Sequence, residues 1–233
     1  MVEKFFFSDK KWQIPDERHR IILVSGPPSS GKTSLLFQFA YNSAMEEDHG
    51  TVIILCNSRR LHTNPPLLSL GVDPSSEIFS RIQMKYVDDD QEMNNYFAAL
   101  HLHDVLPASI IIDDFADFFG ERKRYNNNPR GRELAMAHAL ALCRNAIDHA
   151  NSTKGRCQLL LSDTHKGDSP RLLYIYKRWV ACIYTIYAGG SGIFTLEKSY
   201  SQVAIAERMQ KSANYSIAHQ HLLLKGINRG VEH

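Results

Sequence analysis

The 233-residue chain has little that would place it in a specialised class of protein. It contains no apolar run near the ~20 residues that a membrane-spanning helix needs, so we expect no membrane association. Lysine and arginine outnumber aspartate and glutamate by only 27 to 25, which leaves a net charge of +2. Overall charge therefore does not indicate nucleic-acid binding, which would need a local basic patch.

Cysteine is scarce and widely spaced. The four cysteines, Cys56, Cys143, Cys157 and Cys182, form no C-x-x-C pair, and three of them occur in apolar, strand-like runs. This usage predicts buried free thiols in a reducing compartment.

Apolar runs alternate with helical patterns through the first two thirds of the chain. Buried strands are predicted at 21–24, 51–56, 109–113 and 158–162, and a short edge strand at 82–86. Helices are predicted at 34–41, 91–105 and 133–150. This alternation predicts an α/β fold with a mainly parallel sheet flanked by helices.

The pattern changes after the fourth buried strand. Three strand-like runs follow one another, at 179–187, 193–198 and 202–208, with turns between them. We expect them to form terminal antiparallel strands that close the far edge of the sheet. The predicted organisation is an N-terminal extension (1–19), one α/β domain (20–208) and a C-terminal tail (209–233) that forms at most a loose helix.

The N-terminal extension is unusually aromatic, with Phe5, Phe6, Phe7 and Trp12. Adjacent exposed aromatic side chains are unfavourable unless something covers them. Two interpretations remain open: the segment docks onto a partner, or it folds back onto the domain's own sheet.

A phosphate-binding pattern follows the first buried strand, where the chain has the form G-x-x-x-x-G-K-T. Glycines allow backbone N–H groups to turn inward around an anion, and the next helix presents its positive end. Lys32 can bridge the β- and γ-phosphates in a catalytic role, and the Thr33 hydroxyl can ligate magnesium. The pattern predicts an ATP-binding loop that consists of Gly26, Pro27, Pro28, Ser29, Ser30, Gly31, Lys32, Thr33 and Ser34.

Two carboxylates occur at the end of the third buried strand. We expect Asp113 to hold the magnesium ion together with Thr33, as the Walker B acid does; the alternative is that Asp113 caps the next helix. Asp114 could orient the attacking water as a catalytic group, or it could be a solvated N-cap, and both interpretations remain open.

The succession of elements distinguishes between two large classes of P-loop protein. An AAA-type protein would continue after the fourth strand into a small helical lid domain, whereas this chain continues into strands, which is similar to the RecA/RadA recombinase core. Four segments further resemble the SWSAP-type small ATPases, recombinase paralogues that partner the SWIM-domain protein of the Shu complex. These segments are 26–37, 59–61, 81–86 and 109–113.

The resemblance spans roughly residues 20–165 and implies a RecA-like P-loop NTPase core with ATP and magnesium as cofactors. It implies a nuclear accessory factor in homologous recombination DNA repair, which supports assembly of the recombinase filament on single-stranded DNA. The implied partners are a SWIM-domain zinc protein, the strand-exchange recombinase and single-stranded DNA. Two alternatives remain open: a P-loop phosphotransferase that acts on a small substrate, and a scaffold with a vestigial P-loop.

The chain departs from active recombinases at two positions. Their catalytic glutamate follows the second strand, and that place falls near Ser58 here. Their γ-phosphate-sensing glutamine ends the fourth strand, where this chain has Thr164 and His165, which are at best substitutes. The resemblance therefore predicts a weak or slow ATPase at most.

A basic stretch follows the Walker B strand. In the RecA fold, loops in this region face the DNA, so its basic residues could neutralise phosphates and its tyrosine could stack on a base. The candidates are Arg122, Lys123, Arg124, Tyr125, Arg130 and Arg132, and loop 165–171 is a second candidate. The alternative is a solvated surface loop.

Overall fold

The computed structural model describes residues 2–7, 20–46, 50–120, 128–153, 156–165, 172–199 and 211–229. These residues form one nine-stranded sheet with helices packed against it. The strands are β1 (Ile21–Gly26), β2 (Val52–Cys56), β3 (Ile82–Tyr86), β4 (Ser109–Ile112), β5 (Gln158–Thr164), β6 (Cys182–Ala188), β7 (Ile193–Ser199), β8 (Lys211–Ala218) and β9 (His221–Arg229).

Five α-helices occur among the described residues: α1 (Lys32–Glu46), α2 (Ser58–Thr63), α3 (Asp90–Ala98), α4 (Pro129–Thr153) and α5 (Leu173–Trp179). Short 3₁₀ helices span Val2–Phe5, Glu77–Arg81, Leu100–Leu102, Phe115–Phe119 and Gly190–Gly192. In the part of the chain that the structure describes, none of these helices combines the length and the apolar character needed to cross a bilayer.

The strand order is β3-β2-β4-β5-β1-β6-β7-β8-β9. The first six strands in this order are mutually parallel, and β7, β8 and β9 each pair antiparallel with the strand before them. The predicted fold class is confirmed at this level: an α/β fold with a mostly parallel sheet, flanking helices and terminal antiparallel strands.

Alternate residues of the central strands face two separate hydrophobic cores, as the period of a β-strand requires. On β1, Ile21 and Leu23 pack in the core beneath α3, α4 and α5, whereas Ile22 and Val24 pack in the core beneath α1. Because both faces of the parallel strands are covered, these strands are continuous apolar runs in the sequence.

The predictions for β1, β2, β4 and β5 are confirmed, and β3 lies at the edge as expected. The expectation of a terminal antiparallel strand at 179–187 is only partly right: the strand begins at Cys182, after α5, and pairs parallel with β1 as well as antiparallel with β7. The strand-like run at 202–208 lies outside the described residues. The prediction of a loose helix after residue 209 is wrong, because residues 211–229 form β8 and β9 of the same sheet. The reason is a two-residue alternation: Ala213 and Tyr215 are buried between polar neighbours, which suits a strand with one covered face.

The aromatic N-terminal segment folds back onto the protein's own domain. Phe5 and Phe6 are buried, with ring centroids 5.4 Å from Phe39 and 5.6 Å from Tyr215 respectively. The Asn42 side chain fixes the segment by donating to the carbonyls of Lys4 and Phe6 at 2.8 and 2.9 Å. Of the two interpretations, folding back is the one the structure supports for these two rings, and Trp12 lies outside the described residues.

The prediction of buried free thiols is confirmed for all four cysteines. Burial raises the pKa of Cys56 to about 12, so this thiol, which lies near Asp113, is protonated at neutral pH.

Candidate nucleotide-phosphate site

The loop between β1 and α1 lies at the carboxyl edge of the parallel strands. Its backbone depends on Gly31, which has a φ of +78° and immediately precedes α1. A Cβ atom there would lie 2.6 Å from Cδ1 of Ile217 on β8, so a side chain would displace this methyl group as well as strain the backbone. Ser30 closes the turn with a hydrogen bond from its hydroxyl to the Pro27 carbonyl at 2.8 Å.

Lys32 is buried at the start of α1 and its ammonium group turns back over the loop. Nζ donates to the carbonyl oxygens of Gly26 at 3.1 Å and Pro27 at 2.8 Å. Burial, followed by the positive charge of Arg60, lowers the pKa of Lys32 to about 8. At pH 7 the group is still mainly protonated, so it retains the charge that a phosphate requires.

Asp113 lies just past β4 and meets the loop, as the sequence predicts. The Thr33 hydroxyl donates to its Oδ2 at 2.9 Å, and the Ser162 hydroxyl donates to its Oδ1 at 2.9 Å. The alternative that Asp113 caps the following helix is wrong, because Asp114 occupies the capping position of the 3₁₀ helix Phe115–Phe119.

Asp114 is not solvated, and although it occupies the N-cap position, its side chain does not cap the helix. Its φ of +58° directs the side chain away from the helix, and it makes no capping hydrogen bond. Its carboxylate is about 1% exposed, forms an ion pair with Arg60, and accepts a hydrogen bond from the Thr164 hydroxyl at 2.8 Å. The solvated N-cap interpretation is therefore wrong, and the group that could have acted as a base is already paired.

Arg60 is the functional candidate that residue patterns alone did not identify. Asn57 caps α2 by accepting from the Arg60 backbone N–H, and this sets the helix phase that points Arg60 toward the site. Its guanidinium pairs with Asp114 and Asp117, whereas the neighbouring Arg59 is exposed. The Arg-Arg sequence was visible, but only the phase of a six-residue helix decides which arginine turns inward.

The end of β5, where active recombinases have their sensing glutamine, is occupied by side chains that contact the site's own residues. Ser162 bonds Asp113 and Thr164 bonds Asp114. His165 is buried, with its Nδ1 2.7 Å from the Ser25 hydroxyl. The Ser162 and Thr164 hydroxyls thereby hold the two acids in place.

Strand β8 and the loop after α2 both contact the candidate phosphate loop, by which we mean residues 26–34. The Tyr215 hydroxyl donates to the Ser30 carbonyl at 2.7 Å. Ser34, expected among the binding residues, accepts from the Leu67 backbone N–H at 2.9 Å, so its side chain has a structural partner. The contribution of β8 was not predicted, because the final strands were assigned to a tail.

The basic candidates divide into two groups. Arg122, Lys123, Arg124 and Tyr125 lie outside the described residues, as does most of loop 165–171. Arg130 and Arg132 lie in the first turn of α4, so the expectation of a loop is wrong for these two. Arg130 is exposed, but Arg132 is partly buried and donates to the Ala116 carbonyl at 3.0 Å, which gives it a structural contact.

No protein-family model matches this chain, and no curated protein sequence matches it either. Function must therefore be inferred from the residues and their geometry. The described residues contain no cluster of three histidine, cysteine or acidic side chains arranged around a metal ion. Among the described residues, the Thr33 hydroxyl and the Asp113 carboxylate meet here and suit a cation. Magnesium commonly takes few protein ligands when phosphates supply others.

Proposed function

We propose that this chain is a RecA-type P-loop protein that binds ATP with magnesium and hydrolyses it slowly at most. The observation that carries the proposal is the contact between the Thr33 hydroxyl and Asp113 Oδ2 at 2.9 Å. Residues 80 positions apart meet at the carboxyl edge of the sheet, beside a loop held by a glycine with positive φ.

The donor groups of the site suit a triphosphate with a divalent cation. The Lys32 ammonium, held by two loop carbonyls, can exchange these for phosphate oxygens, to which charge-assisted hydrogen bonds are stronger. Thr33 and Asp113 would hold magnesium, which when bound would neutralise charge on the phosphates. The backbone N–H groups before α1 and the helix end would complete the cradle.

The architecture supports a RecA-type core over the AAA type. Strand β5 lies between the P-loop strand β1 and the Walker B strand β4, and the sheet continues from β6 to β9. The described chain beyond β5 thus extends the sheet where an AAA protein would form a helical lid. The same continuation weakens the phosphotransferase alternative, which would need an arginine-rich lid over a second substrate.

Slow hydrolysis follows from the surroundings of the acids. Asp114 is buried and paired with Arg60, so it is not available to take a proton from water. Ser58, near the place of the recombinase glutamate, lies in the first turn of α2, and the side chain that reaches the site from this helix is the cation Arg60. The two acids that follow β4 are thus engaged by Thr33, Ser162 and Arg60, which supports nucleotide binding with slow hydrolysis.

For the cellular role, we extend the resemblance described above. The proposal is a nuclear accessory factor that acts with a SWIM-domain zinc protein and supports the strand-exchange recombinase on single-stranded DNA. Its support is the set of matching segments together with a sheet of the expected type. Purification of the tagged chain from cells tests this role: recovery of a SWIM-domain protein is expected, and its absence together with turnover of a metabolite would favour the phosphotransferase.

Titration with a fluorescent ATP analogue tests the nucleotide site directly. Wild-type protein should bind saturably in magnesium, and Lys32→Ala should bind about tenfold more weakly or worse, since hydrogen bonds to charged groups contribute about 1.5–3 kcal/mol. Lys177→Ala is the matched control, because this lysine is exposed on α5. Equal affinities for these two variants, or no binding by wild type, would instead support a vestigial P-loop.

A further inference from the structure

Arg60 occupies an unusual position for a cation that has no assigned role. Its guanidinium lies beside the Walker B segment, paired with the buried Asp114 and with Asp117, whose side chain is mostly exposed. We infer that Arg60 is the residue by which this site distinguishes ATP from ADP, by transferring hydrogen bonds from Asp117 to the γ-phosphate. This inference rests on the nucleotide binding proposed above.

The position of the side chain places it at the γ-phosphate end of the site. Asp114, which holds Arg60, directly follows Asp113, and Asp113 contacts the magnesium-binding hydroxyl of Thr33. The Arg60 charge is also close enough to Lys32 to lower the pKa of that ammonium group. Lys32 and Thr33 are the groups that serve the terminal phosphates in a P-loop, so Arg60 lies next to the group that ADP lacks.

The two acidic partners of Arg60 hold it with unequal strength. Asp114 is buried and also bonded by Thr164, and removing a partner from a buried charge is strongly unfavourable. Asp117 is exposed at the surface, where ion pairs contribute little. Asp114 is therefore a fixed pivot and Asp117 an exchangeable contact.

The chemistry of the guanidinium suits such an exchange. It has five N–H donors in a planar fork, so it can keep Asp114 while it offers others to a phosphate. Asp114 Oδ1 is buried and has no hydrogen-bond partner among the described residues. This oxygen can accept a second hydrogen bond from Arg60 when the guanidinium rotates away from Asp117. ADP would leave Arg60 on Asp117, because it lacks the γ-phosphate whose oxygens compete with that carboxylate.

Competition titrations with ATPγS and with ADP, both with magnesium, test this role. Wild type should prefer ATPγS, and Arg60→Ala should lower that preference about tenfold, the loss expected for one hydrogen bond to a charged group. Arg60→Lys keeps the charge without the fork and should retain part of the preference. Arg59→Ala is the matched control, being the adjacent exposed arginine, and should behave like wild type.

Asp117→Asn adds a readout that a merely structural role would not produce. It weakens the competitor for Arg60, so affinity for ATPγS should rise about two- to fourfold while affinity for ADP stays unchanged. Because Asp117 is exposed, this variant remains decisive if Arg60→Ala does not fold. An unchanged ATPγS-to-ADP ratio in Asp117→Asn would overturn the inference.

The outcomes also separate this inference from the proposed function. Equal weakening of both nucleotides by Arg60→Ala would overturn the role of Arg60 and leave ATP binding standing. No binding of either nucleotide by wild type would overturn the proposed function and the inference with it.

Discussion

Asp113 and Asp114 are neighbours in the chain with opposite electrostatic surroundings. Asp113 accepts from two hydroxyl groups, those of Thr33 and Ser162, and its charge also acts on the Lys32 ammonium group. Asp114 is balanced by Arg60. The backbone of Asp114 is left-handed, and the two neighbouring carboxylates have different partners. The proposed magnesium role therefore falls to Asp113, whereas Asp114 is fixed by Arg60.

The lowered pKa of Lys32 predicts a pH dependence of ATP binding. Protonated below about pH 8, Lys32 loses its charge in the free protein as the pH rises above that value, so binding must then recruit a proton. Affinity for ATP should be nearly constant from pH 6.5 to 7.5 and fall by up to about tenfold per pH unit above 8. Fluorescence titrations across this range measure it.

Lys32→Arg is the control, because a guanidinium stays charged throughout. Its affinity, whatever the absolute value, should change little between pH 7 and 9.5. A decline as steep as that of wild type would assign the effect to another group.

At the scale of elements, the sequence predicts what depends on local pattern. The parallel strands are apolar runs such as residues 21–24, whose side chains alternate between the two hydrophobic cores. Such a run predicts a strand that is covered on both faces. Helix α5 was missed because it is short and rich in aromatic residues, which have modest helix propensity. The pairing of Arg60 with Asp114 and the contact of Tyr215 with the phosphate loop depend on tertiary packing, which no local pattern encodes.

The link between β8 and the phosphate loop predicts the effect of Tyr215→Phe. The change removes the buried hydrogen bond to the Ser30 carbonyl but keeps the ring packed, so the free energy of unfolding should fall by about 1–2 kcal/mol. ATP affinity should also fall, because the loop loses its support. Urea unfolding and nucleotide titration measure the two effects.

Tyr187→Phe is the matched control for this substitution, since Tyr187 is exposed near the end of β6. It should change neither quantity. Loss of stability without loss of ATP affinity in Tyr215→Phe would mean that β8 supports the sheet but not the loop.

At the scale of the whole molecule, both described ends of the chain pack on the face of the sheet that carries α1. Phe6 from the N-terminal segment lies against Tyr215 from β8, and Phe5 lies against Tyr184 from β6. The hydrophobic core under the phosphate-loop helix is therefore assembled from segments about 200 residues apart. Cooperative unfolding of the loop with the chain ends is the expected consequence.

Phe5→Ala tests whether the N-terminal segment belongs to this core. Truncating a fully buried phenylalanine typically lowers the free energy of unfolding by about 3–5 kcal/mol. The midpoint of urea unfolding should fall accordingly. Phe7→Ala, at a partly exposed ring, should have a clearly smaller effect, and equal effects would contradict a specific role for Phe5.

The contact of β8 with the phosphate loop also bears on when the site forms during synthesis. Ser30 is synthesised 185 residues before Tyr215, whose hydroxyl contacts its carbonyl. Ile217 of the same strand lies against Gly31. A nascent chain that has completed every strand of the parallel sheet would still lack the backing of its phosphate loop. The proposed nucleotide binding therefore requires that translation has passed β8, and not only that the parallel sheet has formed.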